Sequence, residues 1–212
     1  MKPVLALAAL LASFAGHAAP PDPTRDAQAR AALAQAAPGV TFEPDAAAFG
    51  DLDGDGVEDF AIVAGDPHGG PDGASAMRLF LFAGARSGGF RLAAKSAPLD
   101  DAEVSIRRGS VFLHRDGASG CCAHWAEDFQ FSLRGGQPML IGLETAYAHP
   151  DDVQDADHGT SVDLATGVVE HWTGRGGKPA RRRRSSVRGL APVPLAGFDD
   201  DAFHRRWRDA LW

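Results

Sequence analysis

The chain has 212 residues, with 21 Lys and Arg against 28 Asp and Glu, so its formal net charge at pH 7 is −7. This acidic balance lacks the basic footprint that general nucleic-acid binding requires. The 25 glycines and 14 prolines favour a turn-rich β protein over a helical bundle. The length suffices for one well-buried core, so we expect one domain, with two small domains as the alternative.

The N-terminus has the pattern of a secretory signal. Lys2 gives a positive start, residues 4–15 are apolar apart from one serine, and Gly16 and Ala18 have the spacing of a cleavage site. The apolar run is shorter than the ~20 residues that a membrane-spanning helix needs. We therefore expect residues 1–18 to be removed and the protein to be periplasmic or secreted. No later segment predicts a membrane span.

The next segment, residues 19–48, is rich in Ala and Pro. The stretch from Thr24 to Ala36 predicts a helix with Thr24 as its N-cap, because the residues that follow Thr24 favour helix and a Pro-Gly pair then stops it. The apolar face of this helix is mostly alanine plus Leu33. We therefore expect the helix to pack loosely or to act as a tether.

From residue 49 to residue 212 we expect a single β-rich domain. Short apolar or alternating segments bounded by turn residues predict strands at residues 59–64, 77–83, 90–93, 104–107, 110–113, 128–133, 138–145, 160–164 and 168–172. Hairpin turns are predicted at Arg108-Gly109 and Thr166-Gly167. This spacing predicts a mainly β fold, an antiparallel meander arranged as a sandwich or as a few propeller-like blades.

Two charged segments end the chain. Residues 174–190 form a basic, polar interruption that includes Arg181 to Arg184, which we expect to be a solvated surface loop. The alternatives are a site of proteolysis and a site for an anionic partner such as a polysaccharide or a lipid headgroup. In residues 199–212, Phe203, Trp207 and Leu211 recur every four positions, which predicts an amphipathic C-terminal helix packed on the β core.

The strongest chemical signal is the acidic segment from residue 50 to residue 59, with the sequence GDLDGDGVED. Its spacing matches a calcium loop, with side chains at positions 1, 3, 5 and 9 and one backbone carbonyl at position 7. The predicted ligands are therefore Asp51, Asp53, Asp55, Val57 and Asp59. Clustered carboxylates repel one another unless a cation joins them. The alternative is an acidic turn that binds no ion.

The residues after the loop exclude a helix–loop–helix calcium hand. Its position 12 is Ile62 instead of glutamate, and residues 60–63 predict a strand. The loop-into-strand segment of residues 49–63, FGDLDGDGVEDFAIV, resembles the FG-GAP or VCBS type of repeat found in integrin heads and many exported bacterial proteins. The resemblance implies that the loop connects two strands and binds calcium through the same five residues. The chain contains one copy of this motif.

A second candidate metal site contains the cysteines. Cys121 and Cys122 are adjacent and are the only two in the chain. In an oxidising compartment we expect a strained ring disulfide between them, because their Cα atoms are closer than ordinary disulfide geometry. Alternatives are a soft-metal site with His114 and His124, which suits zinc or copper(I), intermolecular pairing, and a redox role.

A third candidate site lies in residues 149–158, which contain two histidines and four aspartates. His149, Asp151 and His158 could form a mixed imidazole–carboxylate metal site. The spacing matches no known metal loop, and a solvated acidic loop is the alternative.

The sequence shows no catalytic constellation. The G-x-S-x-G, H-E-x-x-H and phosphate-loop motifs are absent, which favours a binding protein over an enzyme. We expect an exported, calcium-stabilised β-domain that acts as a binding or interaction module of the cell envelope, with a protein or a polysaccharide as its partner. The alternatives are a hydrolase of an envelope polymer and a metal or redox protein that uses the two cysteines.

Overall fold

The computed structural model describes residues 22–67, 76–100, 102–119, 123–133, 136–148, 156–176 and 178–211. The predicted signal segment, residues 1–18, lies outside these ranges. In the described part of the chain, no helix has the length and apolar character needed to cross a membrane. Within the described ranges the fold is mainly β, with antiparallel sheets and two α-helices, as the sequence predicts.

The first four strands form the small sheet. They are β1 (Ala47–Gly50), β2 (Asp59–Asp66), β3 (Ala76–Gly84) and β4 (Phe90–Lys95), paired in chain order as an antiparallel meander. Strands β2 and β3 are apolar on both faces, because each face is covered. One face lies against helix α1 and the other faces the rest of the β structure.

Helix α1 (Pro23–Ala36) confirms the predicted N-terminal helix but has a different cap. Its N-cap is Asp22, whose carboxylate accepts the N–H groups of Thr24 and Arg25, and Pro23 occupies the first helical position, where its missing N–H costs nothing. Leu33 is fully buried in an apolar cluster that α1 shares with the small sheet. The helix is therefore packed in place and is not a tether.

The remaining strands form the large sheet. They are β5 (Glu103–Arg107), β6 (Ser110–Ser119), β7 (Ala123–Ser132), β8 (Met139–Ala148), β9 (Asp157–Asp163), β10 (Val168–Arg175), β11 (Lys178–Ser186) and the short β12 (Val193–Pro194). Strands β5 to β11 pair antiparallel in chain order, and β12 pairs with the start of β8. The predicted turn Arg108-Gly109 joins β5 to β6, and both of its residues have positive φ, at 52° and 70°.

Direct pairing arranges the residues of successive strands in rows across the large sheet. One row consists of Leu113, Phe129, Leu143, Val162 and Val169, all buried. We call the face that carries this row the inner face and the opposite one the outer face. The inner face shares one apolar core with the small sheet and with the C-terminal segment. Two sheets around a common core correspond to the sandwich alternative more closely than to repeated blades.

Helix α2 (Asp200–Leu211) confirms the predicted amphipathic C-terminal helix. The carboxylate of Asp199 accepts the Ala202 N–H at 2.7 Å and so caps the first turn. Phe203 and Leu211 are buried in the common core, and Trp207 packs against it. The helix crosses the inner face of the large sheet.

The basic stretch predicted as a surface loop is instead strand β11. Its residues pair one by one with β10, so the alternation of a strand directs Arg181 and Arg183 to the inner face and Arg182 and Arg184 to the outer face. The prediction was wrong because four charges in succession carry no apolar pattern. Along the outermost strand of a sheet such charges are tolerated, since both faces are exposed and charge discourages pairing with another chain.

Candidate metal centre and neighbouring sites

The acidic loop connects β1 to β2, two antiparallel neighbours. Its two ends are joined by the ladder, in which Gly50 is paired with Asp59. Within the loop Gly54 and Gly56 have φ values of 82° and 81°, a backbone conformation that glycine adopts at little cost. These two glycines allow the chain to curl back on itself within eight residues.

Hydrogen bonds from the loop backbone hold its first carboxylates in place. Asp51 accepts the N–H of Gly54 at 2.7 Å through Oδ1 and the N–H of Gly56 at 3.0 Å through Oδ2. Asp53 accepts the N–H of Asp55 at 3.0 Å. Each side chain thus folds back over its own turn, as aspartate side chains do in Asx turns. The N–H groups of the loop therefore point towards the carboxylates of Asp51 and Asp53.

Three of the four predicted carboxylate ligands converge. Asp51, Asp53 and Asp59 each have one carboxylate oxygen within 4.8 Å of the other two. Oxygen ligands lie ~2.4 Å from a calcium ion, so two ligands on opposite sides of it are ~4.8 Å apart. The three atoms therefore fit a shared cation. Asp55 lies outside this group and accepts the N–H of Val57 at 2.8 Å. The Val57 carbonyl stays a predicted ligand.

Asp59 connects the loop to the sheet. Its side chain accepts the Leu52 N–H at 2.7 Å and the Gly84 N–H at 2.8 Å, and only 2% of the residue is exposed. Burial raises the pKa of this carboxyl, the two hydrogen bonds oppose that shift, and the negative charges of Asp53 and Asp51 add to it. The resulting pKa lies above the ordinary 3.8. A cation at the loop would favour the charged carboxylate.

The loop also lies where the two sheets meet. Leu52, 1% exposed, belongs to the core that both sheets share. A Cβ on Gly50 would lie 2.7 Å from Cγ2 of Ile106 in β5, and one on Gly84 would lie 2.2 Å from the Glu58 carbonyl oxygen. Both distances are too short for any side chain, so glycine is required at these approaches of β5 and β3 to the loop.

The cysteine site stays a prediction. Cys121 and Cys122 lie outside the described residues. His124 is exposed near the start of β7 and points to the outer face, since its neighbour Trp125 belongs to the inner face. His114, also on the outer face, is 3.1 Å from Asp128.

The third candidate site stays a prediction as well. His149 and Asp151 lie outside the described residues. His158 lies on β9 at the inner face, where its ring stacks on Tyr147 with centroids 5.1 Å apart and planes 22° apart. It is therefore on the opposite face from His124.

The structure also contains a buried charged cluster that sequence analysis missed. Arg115 on β6 is paired with Glu127 on β7 and with Asp200 at the start of α2, and all three are less than a tenth exposed. His204 Nε2 lies 2.9 Å from Glu127 Oε1. Burial alone would lower the pKa of Arg115, but Glu127 and Asp200 outweigh it and raise the pKa. The guanidinium therefore stays charged and attaches α2 to the sheet.

A pair of carboxylates on the outer face was missed too. Asp128 on β7 and Glu144 on β8 are directly opposite each other, with His114 on the other side of Asp128. Burial raises the pKa of both carboxyls. His114 opposes the rise in the pKa of Asp128. The negative charge of Asp128 adds to the rise in the pKa of Glu144. The signal available beforehand was the polar, outward position of Asp128 in an alternating strand.

Comparison with known proteins identifies no relative. The chain matches no protein-family model, no curated protein and no solved structure. The resemblance of residues 49–63 to a calcium-loop repeat therefore depends on those residues alone. What the sites can bind follows from their own geometry and charge.

Replacing Glu144 by glutamine tests the carboxylate pair. At pH 7 we expect Glu144→Gln to raise the free energy of unfolding by about 0.2–1 kcal/mol, because it removes one of two opposed like charges. The folded pKa is above the ordinary 4.5. In the wild type the charged Glu144 carboxylate therefore lowers the free energy of unfolding at pH values above its folded pKa, and this destabilisation vanishes below pH 4.5. The stability gained by Glu144→Gln should therefore shrink as the pH falls.

Denaturant unfolding of the wild type and the variant between pH 7 and pH 4 measures this gain. Glu43→Gln, at an exposed position outside the sheets, is the matched control and should have little effect at either pH. A loss of stability in Glu144→Gln at pH 7 would contradict the account, as would a gain independent of pH.

Proposed function

We propose that the protein is an exported, calcium-stabilised β-domain that binds an anionic polysaccharide of the cell envelope through strand β11. The observation that carries the proposal is the exposed edge strand with four successive arginines, Arg181 to Arg184. Calcium has a structural role at the opposite side of the large sheet, where the acidic loop approaches β5.

The calcium part of the proposal is supported by the three converging carboxylates. Asp51, Asp53 and Asp59 bring three like charges within 4.8 Å, and the third is almost fully buried. A divalent cation offsets most of this repulsion. The donor atoms are all oxygen, which suits calcium better than zinc or copper. Extracellular calcium modules bind at about 10⁻⁴–10⁻³ M, an affinity sufficient where calcium is abundant.

The polysaccharide part is supported by three exposed arginines of β11 for which the described residues offer no acidic partner. Arg182 is paired with Glu170 on β10. In the described part of the chain no ion pair joins Arg181, Arg183 or Arg184 to a carboxylate, and all three are exposed. A guanidinium group presents a planar fork of donors that matches carboxylate or sulfate groups. Strand β11 thus presents three guanidinium groups that no described carboxylate neutralises, along one edge of the large sheet.

The form of β11 favours a polymer over a lipid surface. Side chains on one face of a strand recur every ~6.8 Å, so a chain with repeated anionic groups can contact several arginines at once. Binding in a membrane interface also requires apolar side chains that enter the bilayer. Residues 178–186 have none larger than proline. A polysaccharide is also the polymer expected in the compartment to which the signal sequence would direct the protein.

Thermal unfolding of residues 19–212, with chelator and with calcium, tests the loop. We expect calcium at 100 times its dissociation constant to add about 2.7 kcal/mol to the free energy of unfolding. Asp53→Asn should reduce this gain, because it removes one of the converging charges and leaves a neutral amide oxygen in its place. The control is Asp45→Asn, an exposed aspartate just before β1, which should keep the full gain. An equal gain in Asp53→Asn, or no gain in the wild type, would refute the calcium site.

Binding to immobilised dextran sulfate, with neutral dextran as a reference, tests β11. We expect binding to dextran sulfate alone, and we expect it to weaken as salt rises, because the contacts are ionic. The triple change of Arg181, Arg183 and Arg184 to Gln should weaken it at least about tenfold, equivalent to ~1.4 kcal/mol. The control is the double change Arg205→Gln and Arg208→Gln on the exposed side of α2, which should keep the wild-type affinity.

Three results would reject the polysaccharide proposal. One is equal binding to neutral dextran, and another is an equal loss of affinity in the α2 control. The third is a preference for vesicles of anionic phospholipid over dextran sulfate, which would identify a lipid surface as the partner.

A further inference from the structure

A cavity of about 260 Å³ lies between helix α2 and the inner face of the large sheet. One of its walls is a row of three rings, Trp125 on β7, Tyr147 on β8 and His158 on β9, which are direct neighbours in the ladder. The Tyr147 and His158 rings are stacked. Trp125 lies against Gly117, where three atoms of the indole are 2.9 Å from the position of a Cβ. All three rings line the cavity.

The next row of the inner face is polar. Two residues further along the same strands are Glu127, Thr145 and Thr160, about 7 Å from the aromatic row. His204 of α2 lines the cavity beside them and contacts Glu127 at 2.9 Å. The cavity thus has a flat apolar side and a hydrogen-bonding side.

The carboxylate of Glu127 keeps capacity for a ligand. One of its oxygens is bound to Arg115 and the other to His204. An ionised carboxylate has about four lone-pair sites, so about two remain, and they only accept hydrogen bonds. They favour a ligand with hydroxyl donors and disfavour a phosphate or a carboxylate in the cavity. Arg115 is shared between Glu127 and Asp200, so a cationic reference ligand is needed beside the sugars to separate sugar binding from cation binding.

A single sugar ring matches this combination. One side of a sugar ring is rich in C–H groups that pack on aromatic faces, and its rim carries hydroxyl groups. Ligand sites in proteins are typically apolar and aromatic with a few placed polar groups, and most are ~300–1,000 Å³. The present cavity lies just below that range, so it is large enough for one ring only.

The two rows continue across the sheet to β11. The aromatic row passes through Thr173 to Arg181, and the polar row passes through His171 to Arg183. Strand β11 is two strands beyond β9, a distance of ~9.6 Å. A polymer with one ring in the cavity can therefore extend towards the arginines of the same face.

We propose that this cavity is a sugar-binding subsite that holds one ring of the polysaccharide, with its C–H face on Trp125 and Tyr147 and its hydroxyl groups towards Glu127 and Thr145. The choice of a polysaccharide rests on the proposed function. The cavity has its own test, because a free monosaccharide does not need the arginines.

Fluorine NMR provides a single reporter for the site, because Tyr147 is the only tyrosine of the chain. Protein labelled with 3-fluorotyrosine is titrated with glucose, galactose, N-acetylglucosamine and glucuronate in turn, and with tetramethylammonium as a cationic reference. We expect at least one sugar to shift the resonance saturably, with a dissociation constant on the order of millimolar. Tetramethylammonium should cause no shift.

Matched variants separate the cavity from the arginine strand. Thr145→Val keeps the shape of the side chain and removes its hydroxyl, so the affinity for the sugar should fall about three- to tenfold. Thr173→Val, at an exposed position of β10, should leave it unchanged. The triple arginine variant should lose dextran sulfate binding and keep the monosaccharide shift.

Three outcomes would overturn the subsite. They are a resonance that no sugar shifts, a saturable shift with tetramethylammonium, and an equal effect of Thr173→Val and Thr145→Val. None of them affects the dextran sulfate result, so the subsite can fail while the arginine strand still binds the polymer.

Discussion

The structure depends on a buried carboxylate, that of Asp59, placed beside two other negative charges. It accepts N–H groups from Leu52 within the loop and Gly84 at the end of β3, so it holds the loop to the small sheet. Leu52 in turn enters the core shared with the large sheet. The repulsion among the carboxylates of Asp51, Asp53 and Asp59 therefore acts on the loop that connects the two sheets. A cation that neutralises the loop carboxylates would therefore stabilise the contact between the two sheets.

The two charged segments of the fold lie at opposite edges of the large sheet. The acidic loop approaches β5 at one edge of the sheet, and the arginine strand β11 is the other edge. Along the strand direction the inner face changes from a buried apolar row to a polar row and then to the aromatic row of the cavity. Helix α2 covers the apolar part, and the Arg115 cluster fastens it there. A protein with seven more acidic than basic side chains thus still presents one basic edge.

Local patterns predicted strands β2 to β10, both helices and the acidic loop, because each of these is encoded within about 15 neighbouring residues. Three of the loop carboxylates converge as the spacing implied, whereas Asp55 is turned to the Val57 N–H. Features that depend on distant pairing were not predictable. Arg115 and Asp200 are 85 positions apart, and β11 is a strand only because β10 supplies its ladder. The aromatic row likewise exists only through the register of three strands.

Amide hydrogen exchange at Leu52 and Gly84, measured by NMR with chelator and with saturating calcium, reports whether calcium stabilises the junction of the two sheets. These two N–H groups donate to Asp59, so their protection reports the junction itself. We expect calcium to slow the exchange of both amides in the wild type, and to slow it less in Asp53→Asn. Equal exchange rates with chelator and with calcium would contradict this expectation, because the junction would then be stable without a cation.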